Sequence, residues 1–543
     1  MSRHWTYPYI VLITNIRRPR TTGCSLISFT RHCDRVGSEF IPSLISFAFA
    51  STPRDTMKHK MQIGCFSSFT EWGRQSIKRP NSMVPGKTLR PVSSAQLEGL
   101  AESGEIDPSS CTHYGSSCDF SIGAKSLEMW REGPEKPPSY TTAALTDISR
   151  HDVMKTIEKK IDELDPELRK LSVQIHDNPE LLFQERLAHD ILTAFMETHG
   201  FAVTRHYLGL ETAWRAEFTT GKSGRRVLGI NSEMDALPGI GHACGHNLIA
   251  VSGVGVAIAV KVALQTHGIS GKVVLLGTPG EEGGGGKIIL LDRGGYKDMD
   301  ACLMCHPATG SLNSATICSS LAMQSISVEY FGQTAHAAAA PWEGINALDA
   351  AFLAYSSISV LRQQIKPDHR VHGIVEGKNW APNVIPDYAK MRWIIRAPTW
   401  SEVVTLRDRL KACFEAAAHA TSCKTKISFD VDGYYDLRQN GILAQEFADV
   451  VQSFGTTTMF MEDAIASTDF GNVSYELPSI HPVFAIPSTN GGNHTPAFAD
   501  AARTLEAHKA CMTITKGLAM TGFRLLDDDA FFKRVKDAFE LSG

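Results

Sequence analysis

Four short motifs carry the side chains of this sequence that are best suited to chemistry. They are Asp235-Ala-Leu-Pro238 followed by Gly241-His-Ala-Cys-Gly-His246, the pair Glu281-Glu282 before four glycines, Cys305-His-Pro307, and Asn493-His-Thr-Pro496. They offer one thiol, three imidazoles and two adjacent carboxylates, from Cys244, His246, Glu281, Glu282, His306 and His494. Sulfur, nitrogen and oxygen donors in this mixture suit Zn²⁺, and Mn²⁺ or Co²⁺ also fit. Because the donors exceed what one tetrahedral zinc needs, the motifs predict a site for two divalent ions.

The paired glutamates indicate how such a site could work. Neighbouring side chains of an extended chain point in opposite directions, so one carboxylate can bind metal while the other faces a water held by the ions. The ions lower the pKa of that water, and the second carboxylate can take its proton before the hydroxide attacks a carbonyl carbon. The predicted reaction is therefore hydrolysis of an amide or peptide bond.

The segments around the motifs predict how they are brought together. Each of the first three motifs begins where an apolar strand stops, and the fourth follows the apolar stretch Val483–Ile486. In a parallel sheet, ligand groups gather at the carboxyl ends of the strands, so motifs far apart in sequence can meet at one edge. We therefore expect one shared site.

The periodicity of residues 151–321 predicts an α/β fold with a mostly parallel sheet. Apolar residues at helical spacing predict a helix over residues 154–176, and a second helix is predicted over 185–199. Strands are predicted at 227–230, 273–276 and 301–304, with a long helix at 248–264 and a final helix at 501–522.

A smaller α+β unit is predicted to interrupt this domain. Strands at 325–331, 371–375, 389–396 and 424–431 alternate with helices at 346–364 and 401–420 in the order of a ferredoxin-like unit. The predicted organisation is an extension at 1–150, a catalytic domain in two parts at 151–321 and 434–524, a ferredoxin-like dimerisation or lid domain at 322–433, and a tail at 525–543.

Composition limits the partners and the compartment. The net charge of -4 gives no basic field, so nucleic acid is excluded as a partner, and membrane association is not expected. The 12 scattered cysteines indicate free thiols and a reducing, cytoplasmic location. Residues 1–150 are rich in Ser, Pro, Arg and Gly and are predicted to be disordered, although a mitochondrial targeting segment is an alternative.

The motifs resemble those of the M20 metallopeptidase family, in its amidohydrolase branch. The likeness covers about residues 152–524 and extends to Pro341-Trp-Glu-Gly344, Asn346-Ala-Leu-Asp-Ala350, Arg370-Val-His-Gly373 and Ser467-Thr-Asp-Phe-Gly-Asn-Val-Ser474. It implies that the metal ligands are Cys244, His246, Glu282, His306 and His494. It also implies that Glu281 is the general base and that Asp235 orients the ligands.

The same resemblance implies how substrate is held. His336 matches a histidine that polarises the substrate carbonyl, often across a homodimer, and Asn383 and Arg396 match contacts to the substrate carboxylate. The implied activity is that of a dipeptidase on dipeptides ending in a basic residue. The sequence departs from the family at Glu233, where the wider family often has His, and at the alanines after His336. The change beside His336 bears on substrate preference rather than on metal chemistry.

Other functions fit the sequence less well. An aminoacylase or amino-acid-conjugate hydrolase acting on N-acyl amino acids would use the same metal chemistry, and a non-catalytic scaffold would not need Glu281. Cys302, Cys305 and His306 spell a haem-attachment pattern, but they lie in an apolar strand. The glycines before Lys287 suggest a phosphate loop but lack its Ser or Thr.

Overall fold

A computed structural model of the chain describes residues 150–221, 226–429, 432–461, 466–488 and 491–542. The predictions of disorder or targeting for the first 149 residues lie outside the described residues. The helices are α1 His151–His176, α2 Arg186–Thr198, α3 His246–His267, α4 Gly286–Asp292, α5 Ala347–Val360, α6 Trp400–Thr421, α7 Gly441–Ser453, α8 Phe470–Glu476, α9 Pro496–Ala502, α10 Leu505–Asp527 and α11 Asp529–Ser542. The strands are β1 Ala202–Arg205, β2 Trp214–Thr220, β3 Val227–Glu233, β4 Gly271–Thr278, β5 Ala301–Leu303, β6 His306–Thr309, β7 Ser314–Ile317, β8 Ala322–Phe331, β9 Arg370–Gly377, β10 Tyr388–Ala397, β11 Lys424–Ser428, β12 Thr457–Phe460, β13 Ser479–Ile480 and β14 Val483–Ile486.

The largest sheet has six strands in the order β1-β2-β4-β3-β5-β13. β4, β3, β5 and β13 run parallel to one another, and β2 pairs antiparallel with β4. This arrangement confirms the predicted α/β fold with a mostly parallel sheet, because helices connect the parallel strands as a crossover requires. The carboxyl ends of β3 and β4 therefore deliver the first two motifs to the same edge.

The long helix α3 lies at the centre of the catalytic domain. It packs between the sheet and helices α1 and α10, and every residue from His246 to Val260 is buried. Among the described residues it is the one helix long and apolar enough to cross a membrane, but 89% of its most apolar window is buried in the protein. Its all-round apolar surface is therefore explained by the core.

A second sheet of the catalytic domain was not predicted. It has four short strands in the order β12-β7-β14-β6, of which β14 is parallel to β6 and antiparallel to β7. The third motif begins after an apolar strand of the main sheet, as predicted, but His306 itself is the first residue of β6 in the second sheet. β5 ends at Leu303, and the chain passes from one sheet to the other just before the histidine.

Residues 322–428 form the predicted ferredoxin-like unit. Its sheet has the order β11-β8-β10-β9, every pair is antiparallel, and α5 and α6 pack on one face. Ile326, Val328, Met391 and Phe414 belong to its separate hydrophobic core. Alternate residues of β10, including Arg396, point to the opposite face, because successive side chains of a strand alternate.

The C-terminal region differs from the prediction in two ways. The single helix predicted over 501–522 is wrong, because α9 ends at Ala502 and the Thr504 hydroxyl caps the separate helix α10. Residues beyond 524 continue α10 and then form α11, whose Phe531 and Val535 are 3% and 0% exposed. This segment is a packed helix rather than a tail, because it buries an apolar stripe against the catalytic core.

Candidate metal centre and active site

Asp235 links the first two motifs. It lies two residues after the end of β3, and His246 is the first residue of α3. One oxygen of Asp235 accepts a hydrogen bond from His246 Nδ1 at 3.2 Å, and the other accepts from the Glu282 backbone N–H at 2.9 Å. The carboxylate therefore fixes both a ring and a loop, which agrees with the orienting role that the resemblance implies.

Gly245 lets two motifs approach closely. Its φ of +80° lies in the left-handed region, and a Cβ atom there would stand 2.5 Å from Pro307 Cγ. Only glycine fits this conformation and this space. The start of α3 can therefore lie against the residue that follows His306.

The loop that carries the paired glutamates is held from two sides. The Tyr434 hydroxyl donates to the Glu281 carbonyl oxygen at 2.7 Å and accepts from the Gly285 N–H at 3.0 Å. On the other side the buried Glu185 carboxylate accepts from the Gly280 N–H at 2.9 Å and from the Thr212 hydroxyl at 2.6 Å. Neither Glu185 nor Tyr434 was singled out from the sequence, because each lies far along the chain from the motif.

The predicted ligands meet in one cluster. Cys244 Sγ lies 3.3 Å from His306 Nε2, and His494 Nε2 lies 3.3 Å from Glu282 Oε1. His246 Nε2 lies 4.0 Å from the same Glu282 oxygen. His246 is also grouped with Cys244 and His306, so it connects the two pairs. Donor atoms of Cys244, His246 and His306, and likewise those of Cys244, Glu282 and His494, lie within 4.8 Å of one another. Two overlapping sets of donors are therefore present.

The hydrogen bonds of the imidazoles test whether this cluster suits metal ions. His246 Nδ1 bonds to Asp235, and His306 Nδ1 lies 2.8 Å from the Pro307 carbonyl oxygen, so each Nδ1 carries the proton. Each Nε2 then presents a lone pair to the cluster. His246 Nε2 and Glu282 Oε1 are buried and have no hydrogen-bond partner among the described residues. Buried nitrogen and oxygen atoms that carry lone pairs and lack a hydrogen-bond partner are suited to bind divalent ions.

Burial and charge shift the acid–base properties of the cluster. Burial, together with the nearby carboxylates of Glu233 and Glu282, raises the pKa of Glu281 well above its usual range. Burial also raises the pKa of the Cys244 thiol. Burial raises the pKa of Glu282, but the neighbouring rings of His494 and His246 together outweigh this and lower it. The two neighbouring glutamates are therefore electrostatically distinct.

A buried ion triad behind the cluster was missed by sequence reasoning. Lys287 Nζ donates to Glu233 Oε1 and to Asp469 Oδ1, each at 2.6 Å, and all three side chains are 0% exposed. Burial lowers the pKa of Lys287, but the two carboxylates outweigh it and raise the pKa well above its usual range. Nothing in the local sequence pattern distinguishes this lysine from a solvated one.

Of the three residues predicted to bind substrate, one interacts with the metal-ligand cluster and two do not. Arg396 is half-buried, interacts electrostatically with Glu281 and has no hydrogen-bond partner among the described residues. Its strand partner Met323 also pairs with Tyr434, which holds the Glu281 loop. The Nδ1 of His336 bonds within its own loop, and the carbonyl oxygen of the exposed Asn383 accepts from the Ala337 N–H of that loop. No described bond or ion pair joins either residue to the metal-ligand cluster.

The fold and this donor set define a family of hydrolases. The profile of Peptidase family M20/M25/M40 matches residues 229–519, and the chain belongs to this family. It is 40% identical over 424 residues to the Xaa-Arg dipeptidase of Mus musculus, covering 75% of this chain and 96% of that protein. It is also 40% identical over 402 residues to the Xaa-Arg dipeptidase of Homo sapiens, covering 70% of this chain and 90% of that protein.

A solved structure shares the fold. The aminobenzoyl-glutamate utilization protein from Klebsiella pneumoniae superimposes with a TM-score of 0.54 at 16% identity, covering 68% of this chain and 99% of that one. The match extends across both the catalytic and the ferredoxin-like parts of the described fold. The solved structure therefore supports the two-part fold predicted from the sequence, and the hydrolase class rests on the family and on the two dipeptidases.

Proposed function

We propose that this chain is a two-metal dipeptidase that cleaves small dipeptides with a free carboxylate, with a preference for a basic C-terminal residue. The observation that carries the proposal is the convergence of the predicted metal ligands, of which His246 Nε2 and Glu282 Oε1 are buried without a hydrogen-bond partner among the described residues. These ligands lie in a chain 40% identical to the mouse Xaa-Arg dipeptidase over 96% of that protein's length. The class of reaction follows from the donors, and the substrate preference follows from the relative.

The ions would be held by Cys244, His246, Glu282, His306 and His494. Sulfur and imidazole donors favour Zn²⁺, although Mn²⁺ and Co²⁺ accept the same set. When bound, the ions supply Lewis-acid activation of water and of the scissile carbonyl. The structure fixes the orientation of two of these ligands, because the rings of His246 and His306 are each held by a hydrogen bond at Nδ1.

Glu281 is the proposed general base. Its Oε2 lies 3.9 Å from His246 Nε2, on the inner side of the loop that Tyr434 and Glu185 hold. From there it takes the proton of the attacking water and delivers it to the nitrogen of the leaving amine. Its neighbour Glu282 is turned towards His494, so the two carboxylates divide the roles of ligand and base.

Arg396 is the proposed contact for the substrate carboxylate. An arginine that is half-buried without a hydrogen-bond partner among the described residues has its donors available, and a carboxylate can accept two of them. Its strand partner Met323 pairs with Tyr434, which bonds to the Glu281 carbonyl oxygen, so Arg396 would bind the free carboxylate of a dipeptide near the bond that is cleaved. Asn383 is proposed to assist from its exposed loop.

His336 is proposed to polarise the scissile carbonyl. Its Nδ1 accepts hydrogen bonds from the backbone N–H groups of Ala338 and Ala339, each at 3.2 Å. The ring proton must then be on Nε2, which can donate to a carbonyl oxygen. Because its described bonds lie within its own loop, this role requires movement of that loop or the neighbouring copy of a homodimer.

We also propose that the chain forms such a homodimer through the ferredoxin-like domain. β9 is an edge strand, and Phe352 and Val360 on α5 are 57% and 74% exposed. Unpaired strand edges and exposed apolar side chains favour association. Light scattering should give a dimer for the wild type and a monomer for Phe352→Glu, and a wild-type monomer would contradict the proposal.

A cytoplasmic location is proposed from the cysteines. All seven cysteines of the described residues are free thiols, which suits a reducing compartment. Fractionation of cells that express the full chain should place it in the cytosol. Recovery in mitochondria would support the targeting role considered for the first 150 residues instead.

The activity is tested with a panel of dipeptides and N-acyl amino acids. Full-length protein loaded with Zn²⁺ or Mn²⁺ should cleave dipeptides ending in Arg or Lys fastest, and Glu281→Gln should lower kcat by roughly 10²- to 10⁴-fold. Glu446→Gln is the matched control, because this carboxyl is also buried with a raised pKa but pairs with Arg524. A clear preference for N-acyl amino acids would favour an aminoacylase, and equal, negligible turnover of wild type and Glu281→Gln would indicate a scaffold.

A further inference from the structure

Glu233 has one carboxylate oxygen that the described protein leaves unpartnered. The residue ends β3 and is 0% exposed. Its Oε1 accepts a hydrogen bond from Lys287 Nζ at 2.6 Å, whereas Oε2 has no hydrogen-bond donor among the described residues. A buried carboxylate oxygen without a donor is strongly unfavourable unless a cation lies near it.

The unpartnered oxygen is aimed at the donor cluster. Glu233 Oε2 lies 3.2 Å from His246 Nε2, which is itself buried and unpartnered. Because His246 Nδ1 bonds to Asp235, Nε2 is the ring nitrogen that would offer its lone pair to a cation beside this oxygen. Two ligands about 2.0–2.2 Å from one ion stand roughly 3 Å apart, so the observed distance suits a shared cation.

The charges around Lys287 leave one negative charge to be balanced. The ammonium lies between Glu233 and Asp469, and all three groups are fully buried. Two carboxylates share this one ammonium, so the triad carries one more negative than positive charge when both are ionised, and Glu233 Oε2 is the oxygen that faces His246. A divalent ion held there would balance the excess negative charge, whereas a merely structural ion pair would need only one carboxylate.

Glu281 completes a third set of donors. Glu233, His246 and Glu281 offer atoms within 4.8 Å of one another, apart from the two sets that contain Cys244. We propose that Glu233 is an additional ligand of the ion that His246 binds, coordinating it through Oε2, and this inference rests on the proposed two-metal site. Lys287 holds Oε1 and so restricts the carboxylate to coordination through one oxygen.

Co²⁺ binding to the full-length, metal-free chain tests this assignment. Visible absorption reports the coordination of Co²⁺, and elemental analysis gives the number of ions bound. In Glu233→Gln the amide oxygen can still accept from Lys287, and the amide N–H can donate to His246 Nε2. We expect the affinity for one of the two ions to fall by more than about 100-fold, which exceeds the usual effect of a residue behind the ligands.

The stability of the metal-free protein separates a ligand from a structural partner. Glu233→Gln removes the unbalanced buried charge, so the urea midpoint of the metal-free variant should equal or exceed that of the wild type. A structural ion pair predicts the reverse, with a lower midpoint and unchanged Co²⁺ affinity. Glu217→Gln is the control, since this carboxylate also pairs with a lysine, Lys272, but lies outside the donor cluster.

The outcomes also separate this inference from the proposed function. Wild-type protein that binds no Co²⁺ would overturn both. Wild type and Glu233→Gln that bind two ions with equal affinity would overturn only the role of Glu233. If the variant does not fold, a crystal structure of the Zn²⁺-loaded wild type decides, with Oε2 expected within about 2.2 Å of one ion and a separation beyond about 3 Å overturning the assignment.

Discussion

Replacement of Lys287 by methionine should destabilise the metal-free protein strongly. The ammonium donates to Glu233 and Asp469, each at 2.6 Å, and none of the three side chains is exposed. Methionine retains much of the apolar stem but leaves both carboxylates without their cation. Removing one partner of a buried ion pair costs about 3–5 kcal/mol, so we expect the free energy of unfolding to fall by that amount.

Lys272 provides the matched control. It too lies between two carboxylates, 3.2 Å from Glu217 and 3.1 Å from Asp298. The Lys272 side chain is 23% exposed, and those of Glu217 and Asp298 are 39% and 43% exposed, so water screens their charges. Lys272→Met should therefore lower the free energy of unfolding by only about 0–1 kcal/mol.

Urea unfolding of the two full-length variants, followed by circular dichroism with a chelator present, measures this difference. Burial already raises the pKa of Asp469, and loss of the cation should raise it further. A carboxyl with a raised pKa in the folded state favours folding at low pH, so the deficit of Lys287→Met should narrow from about pH 8 to about pH 5. Equal losses below about 1 kcal/mol for both lysine variants would refute the reasoning.

Three further changes test other parts of the structure. Cys244→Ser should reduce the Zn²⁺ content more than Cys302→Ser, which lies outside the donor cluster, and equal metal content would contradict the ligand assignment. Burial raises the pKa of Glu185 from 4.5 to about 7, so ionisation of this carboxyl lowers the free energy of unfolding of the wild type as pH rises through that interval. The expected loss is on the order of 3 kcal/mol, and Glu185→Gln should abolish it. An unchanged pH dependence of the urea midpoint would exclude this effect. Gly245→Ala should lower stability by about 2–4 kcal/mol through its positive φ and its contact with Pro307, and an unperturbed urea midpoint would show that the turn can relax.

The sequence was sufficient to predict the features that depend on periodicity and on motifs at strand ends. Alternating apolar residues predicted the ferredoxin-like unit, which the structure confirms in element order and sheet topology. The donor motifs were predicted to converge, and the contacts of Cys244 with His306 and of Glu282 with His494 bring them together. Their roles as ligands stay predictions until metal is measured.

The remaining features depend on contacts that leave no local pattern. The triad of Glu233, Lys287 and Asp469 joins residues up to 236 positions apart, and a buried lysine looks like any other in sequence. The strands of the second sheet are four residues long, too short to show a period clearly. The break before α10 depends on a single capping threonine within a continuous helical pattern.

The number of metal ions bound to the full-length chain tests the central claim most directly. Purified protein, stripped of metal and then saturated with Zn²⁺, should contain two ions per chain by elemental analysis. His246→Ala and Glu282→Gln should each lower that number while the protein stays folded. Wild-type protein that remains free of metal, or variants that bind as many ions as the wild type, would contradict the account.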